Sequence, residues 1–446
     1  MALDASPPTL TGLTAPLDKT LFRKSIPILA ARFSPTKIGS VRKSEPIRRT
    51  VIDLPRLRSV IPDPSAPAGD RLLLLKVSSE VDLPPQAQDF LKTESNGLVP
   101  YTLELDYDYW TADEMIQAIL PESLRERSPT GFAMTGHIAH INLKEEYLPY
   151  KHLIGQIILD KNLQVRTVVN KLDSIDTQFR FFKMELLAGD PDYVVEHHEA
   201  DCRFTFDFTQ VYWNSRLHTE HERLVQVFKP EDVIADVFAG VGPFTIPAAK
   251  KGCAVLANDL NPQSTKYLSL NIENNRVSDV VKVSCEDGRA FIRGVVSRLI
   301  ADPFPAYSGP KKSKNQENQE RRRQRSLVPP TDTTPSLPRN KISHFVMNLP
   351  DSAIQFLDAF RGIFSHLDNQ ECDDIYITMP MIHCHCFTRE IEPENARIDI
   401  IKRVEEKIGH PVVDDFSLHL VRSVAPNKDM YCISFRLPPM VAFDVE

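Results

Sequence analysis

The stretch Asp236-Val-Phe-Ala-Gly240-Val-Gly242-Pro-Phe244 constrains the fold of this chain more than any other. An apolar run, Val233-Ile-Ala235, leads into it, and a second run, Ala254-Val-Leu-Ala257, ends at Asn258-Asp259-Leu260-Asn261-Pro262. Buried parallel strands read as unbroken apolar runs, and a glycine-rich turn at the carboxyl end of one is the layout of a nucleotide-type cofactor site. Gly240 and Gly242 carry no Cβ, so backbone there approaches a ligand closely. Asp259 lies about 23 residues beyond Asp236, a spacing at which a carboxylate takes both hydroxyls of a ribose. A third glycine in the dinucleotide spacing is missing, and a cofactor without a pyrophosphate does not need one. S-adenosylmethionine fits this turn better than NAD.

The same alternation continues downstream. Strands are expected at 233–238, 254–258, 280–284, 344–348 and 374–379, with helices at 264–275, 353–364 and 395–408. Two further strand-like runs, 416–421 and 430–437, flank Pro426-Asn-Lys. Five parallel strands and a terminal hairpin predict an α/β fold, a Rossmann-like domain over 210–446 with a seven-stranded, mostly parallel sheet. Residues 302–341 interrupt it with Pro, Ser, Asn, Gln, Lys and Arg, including Arg321-Arg-Arg323 and Arg325. That insertion is expected to be disordered, either a solvated loop or a phosphate-seeking arm.

Upstream, a strand at 72–77 and a helix at 112–120 belong to an N-terminal α/β region over 61–130. Strands at 139–143, 154–159, 165–169 and 203–208, with a turn at Asp160-Lys-Asn162, suggest a small mixed α+β domain over 131–209. Residues 1–60 form a basic extension. Between 19 and 49 it carries Arg23, Lys24, Arg32, Lys37, Arg42, Lys43, Arg48 and Arg49 against one acidic residue, Glu45. Mitochondrial transit segments, nuclear-import or RNA-contacting arms and plain solvated tails share that composition.

The 446 residues suffice for two or three domains. A formal net charge of -7 gives no global positive field, so any RNA contact must use local basic patches. Seven scattered cysteines point to reduced thiols rather than a disulfide framework. No apolar run approaches the roughly 20 residues needed to cross a bilayer, and the chain reads as soluble and intracellular.

Several short patterns carry chemistry. Thr219-Glu-His-Glu222 has capping-box spacing, which sets Arg216 and His218 on the loop before a helix. Asp287-Gly288 follows the third strand, where a carboxylate accepts from an adenine amine or simply caps the next helix. Asn348-Leu-Pro350 ends the fourth strand, where amine-directed methyltransferases carry an Asn/Asp-Pro-Pro-aromatic turn. His383-Cys-His-Cys386 resembles a metal cluster, but alternate residues of a strand face opposite ways, so buried strand residues are expected and no metal. His197-His198 is a weaker pattern of the same kind. Gly-x-Ser-x-Gly, phosphate-loop and His-Glu-x-x-His motifs are missing.

Taken together these segments resemble the eukaryotic and archaeal tRNA guanine-N1 methyltransferase family acting at position 37, beside the anticodon. The matching stretches are Gly136-His-Ile-Ala-His-Ile-Asn-Leu143, Pro149-Tyr-Lys-His-Leu-Ile-Gly155, Val168-Val-Asn-Lys171, Ser215-Arg-Leu-His218 and the glycine turn, with Asp259-Leu-Asn-Pro262, Asp287-Gly288 and Asn348-Leu-Pro350. The resemblance runs from about 131 to the carboxyl terminus, apart from the insertion. It implies methyl transfer from S-adenosyl-L-methionine to N1 of guanine 37. His218, Gly240, Asp259, Leu260, Asp287, Gly288 and Asn348 would contact the cofactor, and Arg216, Asn348 and Pro350 the target base. The implied partner is the anticodon stem-loop of tRNA, met by a monomer, with no membrane. The implied compartments are the mitochondrial matrix, nucleus and cytoplasm. The aminocarboxypropyl transferase of wybutosine synthesis, or another RNA-base methyltransferase, is the alternative.

Overall fold

The computed structural model describes residues 3–65, 69–175, 182–309, 337–365, 376–413 and 415–444. The centre of the insertion, 310–336, lies outside the described residues, as do 374 and 375 of the expected fifth strand. The chain divides into two units. One comprises Met1–Met134, Ile138–Lys171 and Glu185–Asp192, the other Thr135–His137, Leu172–Met184 and Tyr193–Glu446.

The first unit holds an antiparallel four-stranded sheet in the order Val60–Pro62, Arg71–Leu74, Lys24–Phe33, Leu98–Leu105. Residues 1–60 are therefore no detached extension. Ile28, Ala30, Ala31 and Phe33 are buried in an interior strand, and the basic side chains of that strand find acidic partners. Arg32 Nε lies 2.5 Å from Asp63 Oδ2, and Lys24 Nζ lies 2.7 Å from Asp4 Oδ2. The strand expected at 154–159 is instead part of the helix Lys151–Lys161, which buries Leu153, Ile154, Ile157 and Ile158. Its branched residues pack at helical spacing, and tertiary burial overrides their strand preference. Gly155 permits that packing, since a Cβ there would lie 2.6 Å from Leu187 Cβ.

The second unit carries the expected seven-stranded sheet. Its order is Val281–Ser284, Ala254–Asn258, Val233–Asp236, His344–Met347, Met381–Thr388, Lys428–Arg436, Ser417–Ala425. The first five strands in chain order run parallel and the last two form an antiparallel hairpin. The first and second strands are buried throughout, which explains their unbroken apolar runs. The fifth strand, Met381–Thr388, lies beyond the expected 374–379. Its alternating His and Cys residues look polar, but all four are buried. The region 131–209 is divided between the units, because the hairpin Val194–Glu199 and Cys202–Asp207 belongs with the large sheet. Asn271 of the helix Pro262–Asn274 and Asn275, its C-cap, hold that hairpin. Asn271 Oδ1 accepts from Thr205 N at 2.7 Å, and Asn275 bonds both N and O of Arg203.

No helix among the described residues is long and apolar enough to cross a membrane. Six described cysteines are free.

Candidate active site

The glycine turn leaves the first strand at Asp236 and is held from three sides. Ala239 N donates to Asn258 O at 2.7 Å, and Gly240 N donates to Asp259 Oδ2 at 2.8 Å. From below, Asn271 Nδ2 donates to Val241 O at 3.0 Å. Gly240 (φ +55°) and Gly242 (φ +101°) both adopt left-handed backbone, for different reasons. A Cβ on Gly242 would lie 2.8 Å from both Ile246 Cγ1 and Leu268 Cδ1, so this glycine serves packing. A Cβ on Gly240 would meet nothing within 4 Å, so the turn presents an open concavity there.

Asp236 itself is fully buried, and its Oδ2 accepts from Thr245 Oγ1 at 2.7 Å. Burial pushes its carboxyl up to about 7, and the nearby Asp259 adds to the rise. Burial also raises Asp259, against hydrogen bonds from Asn261 N and Gly240 N. Asp259 Oδ1 accepts from Asn261 N at 2.9 Å, which starts the helix Pro262–Asn274. Each oxygen of a carboxylate has a further lone pair, so both remain capable of accepting ribose hydroxyls. Leu260, beside it, is 41% exposed and offers an apolar face.

Asn258 joins this turn to the next. It is 1% exposed; its Nδ2 donates to Val237 O (3.1 Å) and Glu286 O (3.0 Å), while its Oδ1 accepts from Glu286 N (3.1 Å). The following Asp287 caps the helix Gly288–Ala301, its Oδ1 accepting from Arg289 N at 2.9 Å. Gly288 was expected to admit a ligand. It admits Phe238 instead, whose Cε1 would lie 2.8 Å from an added Cβ. Phe238 in turn packs edge-on against Phe356, at 5.0 Å between ring centroids.

Asn348 follows the fourth strand, and its Oδ1 is buried without a hydrogen-bond partner. Pro350 O accepts from Phe387 N at 3.0 Å, which ties the Asn348-Leu-Pro350 turn to the end of the fifth strand. Arg216 sits in a short turn, Ser215–Leu217, whose start is fixed by Asn214 Oδ1 accepting from Arg216 N. Arg216 and His218 are exposed. The expected capping box does not form, because the helix starts two residues earlier, at His218–Val227, with no side-chain cap.

What anchors that helix is Glu220, for which nothing in the sequence signals burial. It is 2% exposed and accepts from Arg223 Nε (2.6 Å), Arg223 Nη2 (2.7 Å) and His385 Nε2 (2.7 Å). Burial opposes its ionisation, but the bonds from Arg223 and His385 prevail and hold its carboxyl down to about 2. His385 is fully buried; burial disfavours its imidazolium, yet Cys432 and Glu220 together raise it to about 10. Cys384 pairs in register with Met347, the residue before Asn348. The Glu220–His385 bond thus brings the Arg216 turn to the carboxyl end of the fourth and fifth strands.

Donor atoms of Glu220, His385 and Cys432 lie within 4.8 Å of one another. The Arg223 guanidinium already occupies both Glu220 oxygens, so this donor set suits an ion pair rather than a divalent cation. His383 bonds Ser434 Oγ at 2.7 Å and His344 Nδ1 at 3.0 Å, while Cys384 and Cys386 pack in the apolar core. His197 and His198 lie on the hairpin beside Glu199 and Glu196.

The geometry accommodates S-adenosylmethionine. The open concavity at Gly240, the Asp259 carboxylate, exposed Leu260 and the unused Asn348 oxygen suit a ribose, an adenine face and an amine-bearing tail.

Comparison with known proteins agrees. Residues 195–305 match the TRM5/TYW2 methyltransferase domain, and residues 112–192 match the TYW2 N-terminal domain. A tRNA (guanine(37)-N(1))-methyltransferase of Coprinopsis cinerea is 63% identical over 99% of this chain and 98% of its own length. The protein of that name from Schizosaccharomyces pombe is 44% identical over 96% of this chain and 94% of its own. Among solved structures, aTrm5 in complex with tRNALeu superposes with a TM-score of 0.58 at 19% identity, covering 92% of this chain and all of that one. Trm5b from Pyrococcus abyssi gives 0.55 at 24% identity, covering 92% and 99%. At those identities the solved structures speak for the fold alone, while the long, closely similar sequences speak for the family. The chain belongs to the family of tRNA (guanine(37)-N(1))-methyltransferases.

Proposed function

We propose that Arg216, Asn348 and Pro350 hold the target guanine while the glycine turn, Asp259, Leu260 and Asp287 hold the cofactor. The reaction is methylation of N1 of guanine 37 in tRNA, with S-adenosylmethionine supplying an electrophilic methyl group when bound. The observation that carries the residue assignment is the buried, unpartnered Asn348 Oδ1 at the end of the fourth strand. A buried acceptor without a partner costs about 1–3 kcal/mol, and a donor on a bound ligand or base edge would remove that cost.

Guanine N1 carries a proton, so negative charge develops toward O6 as it leaves. The exposed Arg216 guanidinium, always charged, stabilises that charge once the bound base has displaced water. Pro350 stiffens the turn against which the base rests. Of the carboxylates near this region in sequence, Glu222 and Asp351 are exposed and Glu220 is built into the fold as an anion. Its bonds to Arg223 and His385 leave Glu220 as the anchor of the Arg216 turn.

Arg216→Ala is expected to slow single-turnover methyl transfer by about 10²–10³-fold, the usual effect of losing a charge-stabilising donor. Cofactor affinity, read by calorimetry, should stay within about twofold of the wild type. Equal losses in rate and cofactor affinity would overturn the role.

The full-length relatives carry the methyltransferase name, which favours methyl over aminocarboxypropyl transfer. Every residue assigned here comes from one chain, so a monomer suffices. We assign the protein to the mitochondrial matrix, nucleus and cytoplasm, the compartments that the family resemblance implies; the basic segment 19–49 is compatible with a targeting role. Because Lys24–Phe33 is an interior strand, targeting would have to leave that strand in place. Imaging of a carboxyl-terminal fluorescent fusion tests the distribution, and a signal confined to one compartment would contradict it.

A further inference from the structure

The structure assigns a second binding site: a cleft of about 400 Å³ at the end of the fifth strand, which we infer takes the nucleotide adjoining the methylated guanine. The inference rests on the placement of that guanine at Asn348–Pro350. Asp351, Phe387, Arg389, Glu390, Arg403 and Lys428 line the cleft.

Its position is the first argument. Phe387 N donates to Pro350 O at 3.0 Å, so the base-holding turn and the floor of the cleft are one piece of backbone. Asp351, the residue after Pro350, forms part of the wall. A guanine drawn out of its stack stays tethered through phosphodiesters to both neighbours. One neighbour must therefore lie against whatever surface borders the turn.

Its chemistry is the second argument. Phe387 is half-buried, and Lys428 Nζ stands 4.1 Å from its ring centroid. An aromatic face with a flexible cation over it suits a stacking platform, because a base replaces the ammonium, which then turns to the phosphate. Arg403 is pinned, its Nη2 donating to Phe387 O at 2.9 Å and lying 2.8 Å from Asp399 Oδ2. Thr388 Oγ1 also donates to Asp399 Oδ2, at 2.9 Å. Arg403 Nε is buried with no partner, a donor that the protein leaves unused. Arg389 and Glu390 are exposed at the rim. Cations, carboxylates and one aromatic face together suit a nucleotide, which offers phosphate, exocyclic amine and π surface at once. A free phosphate would have no use for the ring or the carboxylates. The volume accommodates one nucleotide, not a duplex.

The test uses the full-length enzyme and tRNA made abasic on the 5′ or the 3′ side of guanine 37. With intact tRNA, Phe387→Leu should weaken binding about 10-fold, the effect of losing one base stack, and Phe387→Tyr should restore it. With the substrate abasic on the side that the cleft serves, Phe387→Leu should cause no further loss. Lys428→Gln should lower the salt dependence of binding by about one counterion. Cofactor affinity should not change in these variants.

Wild-type binding of intact tRNA by Phe387→Leu, or full additivity with both abasic substrates, would overturn the cleft assignment. A salt slope unchanged by Lys428→Gln would remove the phosphate contact. Asn348→Ala separates the two readings. If it methylates at the wild-type rate, the guanine does not sit at this turn and both proposals fail. If it is slow while Phe387→Leu binds normally, only the cleft fails.

Discussion

Asn258→Ala should couple stability and cofactor binding in one measurement. The side chain is 1% exposed and makes three hydrogen bonds, to Val237 O, Glu286 O and Glu286 N. At about 1 kcal/mol for each lost bond, and more where a buried backbone group is left unpaired, truncation should cost about 3–4 kcal/mol. Those bonds join the glycine turn to the loop bearing Asp287, so the loss should reach the ligand as well. Cofactor affinity is expected to fall at least 10-fold, because two loops must be ordered on binding that are now ordered beforehand. Urea unfolding without cofactor and titration calorimetry with it provide the two numbers. Asn258→Asp is the companion variant: it keeps the acceptor for Glu286 N but sets a buried carboxylate against Val237 O and Glu286 O, so it should cost at least as much as alanine. A loss below about 1 kcal/mol with unchanged affinity would show that the loops are positioned by something other than this amide.

The glycines should separate by what surrounds them. Gly240→Ala should fold with a loss of about 1 kcal/mol from left-handed backbone yet bind cofactor poorly, whereas Gly242→Ala should lose clearly more stability through its clash with Ile246 and Leu268. Thermal melts and cofactor titrations distinguish them, and equal behaviour would contradict the open concavity at Gly240. The Glu220–His385 pair predicts a pH window. Glu220, held near 2, contributes stability above the ordinary carboxylate value and loses it as pH falls toward 2; His385, raised to about 10, contributes below the ordinary imidazole value and loses it as pH rises toward 10. Glu220→Gln should therefore cost about 3 kcal/mol near pH 6, as breaking a buried pair does, with the difference shrinking toward pH 10. Denaturant midpoints across that range check it, and a flat difference would refute it.

The large sheet was legible because its buried parallel strands are apolar throughout, and the residues bordering its carboxyl edge stand at recognisable spacings. Asp259, Asp287 and Asn348 fall where their positions in the chain suggested. The fifth strand was harder to place. His383 and His385 look unsuited to a core until Ser434, His344 and Glu220, all distant in sequence, satisfy them. The helix Lys151–Lys161 was hidden by Ile157 and Ile158, whose strand preference is local while their burial is tertiary. The strand Lys24–Phe33 was hidden by charge, since the partners of Lys24 and Arg32 come from elsewhere in the chain. Asn258, Asn271 and Asn275 gave no signal at all. An asparagine that bonds backbone of another element reads as an ordinary polar residue until the fold brings that backbone to it.

The central claim is a base-specific methyl transfer. The most direct measurement is a single-turnover reaction with labelled S-adenosylmethionine and unmodified tRNA carrying guanine or adenine at position 37, followed by nucleoside mass analysis. N1-methylguanosine from the guanine substrate alone is the expected result. An aminocarboxypropyl adduct, or equal methylation of the adenine substrate, would contradict the account.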